Sequence, residues 1–455
     1  MLKRVFVANR GEIALRIIRA CRDLGITSII GYSEADKDSL PVNLADEKIC
    51  IGPASPLESY LNIPSILSAM DVMHVDSVHP GYGFLSENPF FVEICNSSRI
   101  TFIGPSADNL RLMGNKSEAR RTVSKNRLPV VPGVDNLVDI EDACKQAKKI
   151  GFPVMIKASA GGGGRGMRVA RNQDEFRIHW SACQQEAKIA FDNPSLYIEK
   201  FIERPRHIEI QVLADEKGNV FVFPERDCSL QRRHQKLIEE TPSPAVDAYI
   251  RKKLQKIARK ICRVINYTSA GTIEFLMGGR YAFFMEMNTR IQVEHPITEM
   301  ITNFDLVKSQ IEIASGEKIT YRHNFVGFTG HSIECRINAE DPEKNFLPSP
   351  GKITKLVLPG GPGIRVDTHI YQGYVIPPYY DSLIAKLISY GRTREEAIAR
   401  MQRALQEMKV DGVATTIDFY KKVLEHPVFQ SGRYYVGWLE KIQEESKNNG
   451  KNQQK

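Results

Sequence analysis

Several features are missing from this 455-residue sequence, and each absence excludes something. It has no Cys-x-x-Cys pair. Its eight cysteines, Cys21, Cys50, Cys95, Cys144, Cys183, Cys228, Cys262 and Cys335, lie far apart, which argues against a structural zinc site or a disulfide framework. It has no apolar run long enough to span a bilayer. The amino terminus, Met1 to Arg10, reaches charge too early for a secretory signal. A cytoplasmic location without membrane association is therefore expected. No Gly-Lys-Ser/Thr follows the glycine run, so there is no Walker A loop. The first strand-to-helix turn lacks the full dinucleotide fingerprint. No internal repeat is visible. The net charge is +8, yet the aromatic-basic interleaving of a single-strand nucleic-acid reader is absent. The basic clusters Arg120-Arg121 and Arg251-Lys252-Lys253 fall within amphipathic helical patterns. This balance suits an enzyme that handles anionic substrates, and no nucleic-acid partner is expected.

What is present is enough apolar material, 42% of residues, for two to four domains. Short β-branched runs alternate with amphipathic helices over the first third: Val5–Ala8, Glu12–Leu24 stopped by Gly25, Ser28–Tyr32, Val75–Val78 and Thr101–Ile103. That alternation predicts a parallel, doubly wound α/β sheet over 1–113. A middle segment, 114–330, carries most of the polar motifs. Its predicted elements are a helix containing Lys116 to Lys125, strands Val154–Ala158, Leu196–Phe201, His207–Leu213, Val220–Phe223, Gly271–Leu276 and Tyr281–Met287, and a long basic helix roughly over Val246–Val264. From 331 to 445 the pattern changes to mixed α+β, with strands His331–Ile337 and Ile353–Leu358 and helix Arg394–Glu407. The tail 446–455 has no apolar residue and is expected to be disordered.

Four motifs carry chemistry. A strand ending in Lys157 runs into Gly161-Gly162-Gly163-Gly164, where amides without side chains can close over phosphate oxygens. In His207-Ile208-Glu209-Ile210-Gln211, polar and apolar residues alternate, which by itself describes an ordinary half-exposed strand. If Glu286 to Glu294 is extended, Glu286, Asn288, Arg290, Gln292 and Glu294 line one face, and Glu274 on the preceding strand adds a carboxylate. Carboxylate and amide oxygens of this kind suit a divalent ion held against phosphates. Glu225 to Lys236 concentrates cations, with Gln231, His234 and Lys236 among them, and beside a phosphate site it reads as an anion cradle. Cys228, within it, is expected only to pack. The segments His79–Asn88 and Glu334–Asp341, the latter with Arg336, would each be read alone as structure.

Together these stretches, with Asn9-Arg10-Gly11-Glu12, resemble biotin carboxylase in order and spacing over nearly the whole chain. The string from Met287 to Pro296 carries the most specific likeness. The resemblance implies a Rossmann-like N-terminal domain, an ATP-grasp domain with a mobile lid near 130–203, and a C-terminal domain. It implies that Lys116, Lys157, Gly163 and Gly164 hold ATP phosphates, that Glu199, Lys200, Phe201 and Ile202 contact adenine, and that His207, Gln231 and His234 lie around the nucleoside. It implies that Glu274, Glu286 and Asn288 bind two Mg²⁺ or Mn²⁺ ions, Glu274 and Glu286 thereby contacting ATP. Lys236, Arg290, Gln292, Val293 and Glu294 would surround bicarbonate, with Glu294 as general base. Arg336 would stabilise the biotin enolate, and Tyr82 would flank the ring. The same resemblance implies biotin presented by a biotin carboxyl carrier protein rather than attached to this chain, since no biotin-attachment sequence is present, and carboxyltransferase subunits as further partners. The departures are Asn115, Pro224, Asn303 and Pro362, none of which removes a catalytic group. A homodimer is expected, although Pro362 departs from the aromatic often found near that face. The preferred role is in acetyl-CoA carboxylase and malonyl-CoA supply. The alternatives are a pyruvate carboxylase subunit, another ATP-grasp carboxylate-amine ligase, and a nonenzymatic basic binding protein.

Overall fold

The computed structural model describes residues 2–135, 137, 139–158, 167–191, 194–319 and 323–443. The glycine run with Gly163 and Gly164, and the tail 446–455, lie outside the described residues. The chain forms two compact units. The larger comprises Met1–Thr122, Arg206–Glu274 and Glu286–Lys455, and the smaller Val123–Pro205 and Phe275–Met285.

The larger unit begins with a five-stranded parallel sheet in the order Glu47–Gly52, Thr27–Ser33, Arg4–Val7, Ser77–His79, Thr101–Phe102. Successive side chains point to opposite faces, and both faces are covered. Val5, Val7 and Ile30 enter one core with Ile13, Ile17 and Ile18 of helix Gly11–Asp23. Phe6, Ala8 and Ile29 enter another with Ile66, Val78 and Phe91. Gly25 ends the first helix in the left-handed region (φ +68°), where a glycine is favoured. The doubly wound expectation holds for this part.

An eight-stranded sheet follows, ordered Tyr281–Asn288, Ser269–Gly278, Arg206–Ala214, Val220–Arg232, Gln235–Thr241, His331–Asn338, Leu383–Gly391, Ile364–Thr368. The segment Phe275–Met285 of its first hairpin belongs to the smaller unit. Strand Gln235–Thr241 pairs antiparallel with His331–Asn338, placing Ile238 opposite Cys335 and Glu239 opposite Glu334. One sheet therefore runs from the middle third of the chain into the last third. Beyond it, Ile333, Ile337, Ile384, Met401, Leu405, Tyr420 and Trp438 share a core with helix Arg394–Glu407.

The smaller unit has a four-stranded antiparallel sheet in the order Gly133–Val134, Leu196–Lys200, Val154–Ala158, Met167–Ala170. Helices Ile140–Ile150 and Gln173–Phe191 cover it through Cys144, Phe176, Trp180 and Cys183.

Four expectations need correction. The strand expected over Val220–Phe223 continues to Arg232, and every residue of it is buried. Arg206–Ala214 is also buried throughout, so it is not half-exposed. Helix Ala248–Val264 packs against both strands, and helix His295–Thr302 packs against Val220–Arg232. Polar side chains on these strands satisfy one another internally. Extended structure after Glu286 stops at Asn288. Pro296, with its preset φ, starts a helix at His295, and Glu294 becomes that helix's N-cap residue. The strand expected over Ile353–Leu358 shrinks to Lys355–Val357, with Ile353 buried beside it. Among the described residues no helix is long and apolar enough to cross a membrane. All eight cysteines are free.

Candidate active site

The buried strands Arg206–Ala214 and Val220–Arg232 bring the polar half of their alternation to an interior face. Arg226 is fully buried and acts as a hub. Its guanidinium donates to Glu209 Oε1 (2.5 Å), Gln211 Oε1 (2.9 Å), Thr298 Oγ1 (3.0 Å), Thr272 Oγ1 (3.1 Å) and Gln292 Oε1 (2.7 Å). The expected anion cradle over Glu225 to Lys236 is therefore corrected at Arg226, which is spent inside the protein. Arg232 is likewise committed, donating to the Asn345 carbonyl at 2.9 Å.

Lys236 lies at the centre of an anionic cluster. Its ammonium donates to Glu209 Oε2 (2.7 Å), Glu274 Oε1 (2.9 Å) and Glu294 Oε1 (2.7 Å). Burial opposes its charge, but the three carboxylates outweigh burial and hold its pKa well above the lysine value. Burial opposes ionisation of Glu274 and Glu294 too. Lys236 and His207 nevertheless hold Glu274 below the usual carboxylate range, and Lys236, Arg336 and Arg226 hold Glu294 there. His207 Nε2 sits 3.1 Å from Glu274 Oε2, and Gln231 Nε2 lies 3.0 Å from His207 Nδ1. Cys228 is buried, with its thiol pushed well up by burial and then Glu209, as a packed rather than reactive cysteine requires.

The segment after Asn288 wraps this cluster. Asn288 Nδ2 and Gln292 Nε2 donate to Glu274 Oε1 at 2.8 and 2.9 Å. Arg290 donates to Glu87 Oε2 (3.0 Å) and Asn288 Oδ1 (3.2 Å), and Glu87 Oε1 accepts from the Thr289 amide at 3.0 Å. The turn His79–Asn88 thus holds Arg290 in place. Gly81 within it has φ +64°, and a Cβ there would come within 2.9 Å of Asn9 Nδ2. Arg336 Nη2 reaches Glu294 Oε2 at 2.9 Å, while its Nε donates to Glu239 Oε1 at 2.6 Å. The Val293 carbonyl accepts from buried Lys386 at 2.9 Å, and Lys386 lies 3.0 Å from Glu12 Oε2. The Tyr82 hydroxyl is bonded to the same Glu12. Lys116 Nζ lies 2.8 Å from Glu286 Oε2. His234 is exposed in the turn between Val220–Arg232 and Gln235–Thr241.

On the smaller unit, Lys157 pairs with Glu199 and lies 6.0 Å from the Tyr197 ring centroid. Lys200 donates to the carbonyls of Gly151 (2.8 Å) and Phe152 (3.0 Å), and the Phe201 amide donates to Pro153 at 3.1 Å. Ile202 follows, half-buried.

Of the residues singled out from sequence, Glu274, Asn288, Arg290, Gln292, Glu294, Lys236, His207, Gln231 and Arg336 form one connected network in the larger unit. Glu209, Arg226, Glu239 and Lys386 belong to it and were not assigned roles. Only Lys386 gave a separate signal, as a lone lysine within the apolar run Leu383 to Ile388. The first turn proves to be closed: Arg10 is bidentate to Asp36 (both 2.7 Å) and stacks 4.1 Å from the centroid of the Tyr380 ring.

This concentration of carboxylates and cations on one interior face marks the active site of an enzyme that handles charged substrates. Residues 115–322 match the carbamoyl-phosphate synthase L chain ATP-binding domain. Residues 1–110 and 334–441 match the biotin carboxylase N-terminal and C-terminal domains. The chain is similar to Biotin carboxylase 1 of Bacillus subtilis, 54% identical over 97% of this chain and 98% of that protein. It is similar to the solved biotin carboxylase domain dimer of Hydrogenobacter thermophilus 2-oxoglutarate carboxylase with MgADP, ADP and bicarbonate (TM-score 0.89, 47% identity, 97% and 98% of the two chains). It also resembles the biotin carboxylase subunit of a pyruvate carboxylase (TM-score 0.89, 46% identity, 98% and 99%). The chain belongs to the biotin carboxylase family, with an ATP-binding domain over residues 115–322, and is an ATP-dependent ligase.

Proposed function

We propose that this enzyme carries out the first half-reaction of acetyl-CoA carboxylase, carboxylating biotin on a biotin carboxyl carrier protein in the cytoplasm. The observation that carries the reading is the placement of Glu294 between two cations, Lys236 on one oxygen and Arg336 on the other. Bicarbonate is a poor nucleophile until it loses its proton, and a poor carboxyl donor until its oxygen becomes part of a leaving group. Lys236, Arg290, Gln292 and the Val293 backbone are proposed to surround it, with Glu294 accepting its proton. A carboxylate held this strongly ionised is a weak base. An anion bound beside Lys236 and Arg336 draws their hydrogen bonds away from Glu294, which raises its proton affinity when a base is needed.

Attack on the γ-phosphoryl group gives carboxyphosphate and ADP. Its breakdown releases CO2 and phosphate, and that phosphate takes the N1′ proton of biotin. Arg336 is proposed to hold the resulting enolate, with Tyr82 flanking the ring. Glu274, Glu286 and Asn288 offer only oxygen donors, which fit a hard divalent cation. They would hold Mg²⁺ or Mn²⁺, two ions by the resemblance, and such ions neutralise charge on the transferring phosphoryl group. Lys116, His207, Gln231 and His234 on the larger unit are proposed nucleotide contacts, as are Lys157, Gly163, Gly164 and Glu199 to Ile202. The domain limits 1–113, 114–330 and 331–445 are proposed with them.

A homodimer and carboxyltransferase partners are part of the proposal. The test is ATP cleavage that requires bicarbonate and rises with free biotin, followed by mass spectrometry of co-purifying subunits. Turnover driven by an amine instead of biotin would overturn it.

A further inference from the structure

Two buried carboxyl groups face each other beside Arg336. In the antiparallel pairing of Gln235–Thr241 with His331–Asn338, Glu239 stands directly opposite Glu334. Arg336, two residues along the strand from Glu334, stands opposite Lys386 on the next strand. Directly paired residues project to one side of a sheet with β-carbons about 5 Å apart. Glu239, Glu334, Arg336 and Lys386 therefore form one charged row, and Glu239, Glu334 and Lys386 are each 0% exposed.

The hydrogen bonding across this row is incomplete. Glu239 Oε1 accepts from Nε of Arg336 (2.6 Å), and Nη2 of the same guanidinium lies 2.5 Å from it. Glu239 Oε2 and both oxygens of Glu334 have no hydrogen-bond partner among the described residues. The other cations facing the pair are committed: Lys386 to Glu12 and the Val293 carbonyl, Lys236 to Glu209, Glu274 and Glu294. Arg336 thus answers three carboxylates, Glu239, Glu334 and Glu294. The remaining titratable groups facing the pair, Tyr82, Tyr420 and Cys335, are kept neutral chiefly by burial. Burial pushes Glu334 well above the usual carboxyl range against the pull of Lys386. It pushes Glu239 up to about 7, with Arg336 opposing and Glu294 reinforcing.

We propose that Glu239 and Glu334 share one proton and act as a positioning pair that keeps Arg336 available to the anionic ureido ring of biotin. This rests on the assignment of Arg336 to biotin made above. Two ionised carboxylates opposite each other in an interior cannot both be stabilised by one guanidinium. A shared proton lets one carboxyl donate to the other, satisfying two of the three oxygens that otherwise lack partners, and removes one negative charge from around Arg336. Loss of that proton surrounds the guanidinium with anions and repels an incoming one. The pair titrates as a unit, so its proton belongs to neither residue alone.

The test compares wild type with Glu334→Gln, whose amide keeps the shape of a neutral carboxyl. In wild type, kcat/KM for free biotin should fall about tenfold per pH unit on the alkaline side of the pair's titration. In Glu334→Gln that decline should disappear, while bicarbonate-dependent ATP cleavage without biotin keeps one pH profile in both proteins. Superimposable biotin profiles, or equal shifts in both reactions, overturn the proposal. Carbon-13 NMR of carboxyl-labelled glutamate in wild type decides it independently if the variant does not fold: a buried carboxyl titrating near neutrality is expected, and its absence overturns the pair while leaving the biotin assignment standing. Conversely, an unchanged kcat/KM for biotin in Arg336→Gln sinks the biotin assignment, and the role of the pair with it, even where the carboxyl signal persists.

Discussion

Half-buried Lys236 places its Nζ 2.7 Å from Oε1 of buried Glu294, and each charge depends on the other. Lys236 is the only donor to that oxygen among charged groups of the described residues, yet it also holds Glu209 and Glu274. One ammonium therefore links the proposed base to a proposed metal ligand.

Replacing Glu294 by Gln keeps the volume and removes the base. Bicarbonate-dependent ATP cleavage should fall about 10²- to 10⁴-fold. A steady-state assay at saturating bicarbonate checks this, and full retention of activity would rule Glu294 out as the proton acceptor.

Lys236→Met leaves Glu209, Glu274 and Glu294 without their common cation. Breaking a buried ion pair this way costs about 3–5 kcal/mol. Denaturant unfolding should show the loss at neutral pH. A loss below about 1 kcal/mol would mean that water replaces the ammonium.

Glu286→Gln removes one proposed ligand charge while leaving the buried network intact. The Mg²⁺ concentration giving half-maximal ATP cleavage should rise about tenfold, a change of about 1.4 kcal/mol in ion binding. An unchanged Mg²⁺ requirement would exclude Glu286 from the metal site.

Acid stability should depend on Glu240. Burial opposes its ionisation, but His331, Nε2 2.6 Å away, and Arg394 lower its pKa to about 2. A carboxyl whose folded pKa is depressed contributes stability above its unfolded pKa of about 4.3. That contribution is lost as pH falls from about 4 towards 2, and amounts to roughly 3 kcal/mol. Melting temperatures between pH 6 and pH 2.5 should show a steeper acid decline in wild type than in Glu240→Gln, and parallel curves would contradict this.

Much of the framework was legible from the residues. The period-two and helical apolar patterns located helix Arg394–Glu407 and strand Val154–Ala158 with the bounds they have in the structure, and the helix containing Lys116 to Lys125. The parallel first sheet followed from strand-helix alternation. Pattern reading failed where polar residues are buried. Periodicity treats a polar side chain as exposed, so the strand through His207 to Gln211 looked half-exposed and Glu225 to Lys236 looked like an anion cradle, although Arg226 and Glu209 neutralise each other inside. It failed again at Thr289 to Glu294, where a proline-started helix overrode the alternation.

The sequence by itself determined the order of elements, the stock of charged groups and the membership of the family, because apolar spacing and motif strings are local properties of the chain. Only the tertiary structure decided which charges meet. Glu239 and Glu334 stand 95 positions apart in the numbering, as Glu294 and Lys236 stand 58 apart, and long-range strand pairing and helix packing bring each pair together. A pKa, a shared proton or a committed cation depends on burial and on distances of a few ångströms, which no local pattern encodes.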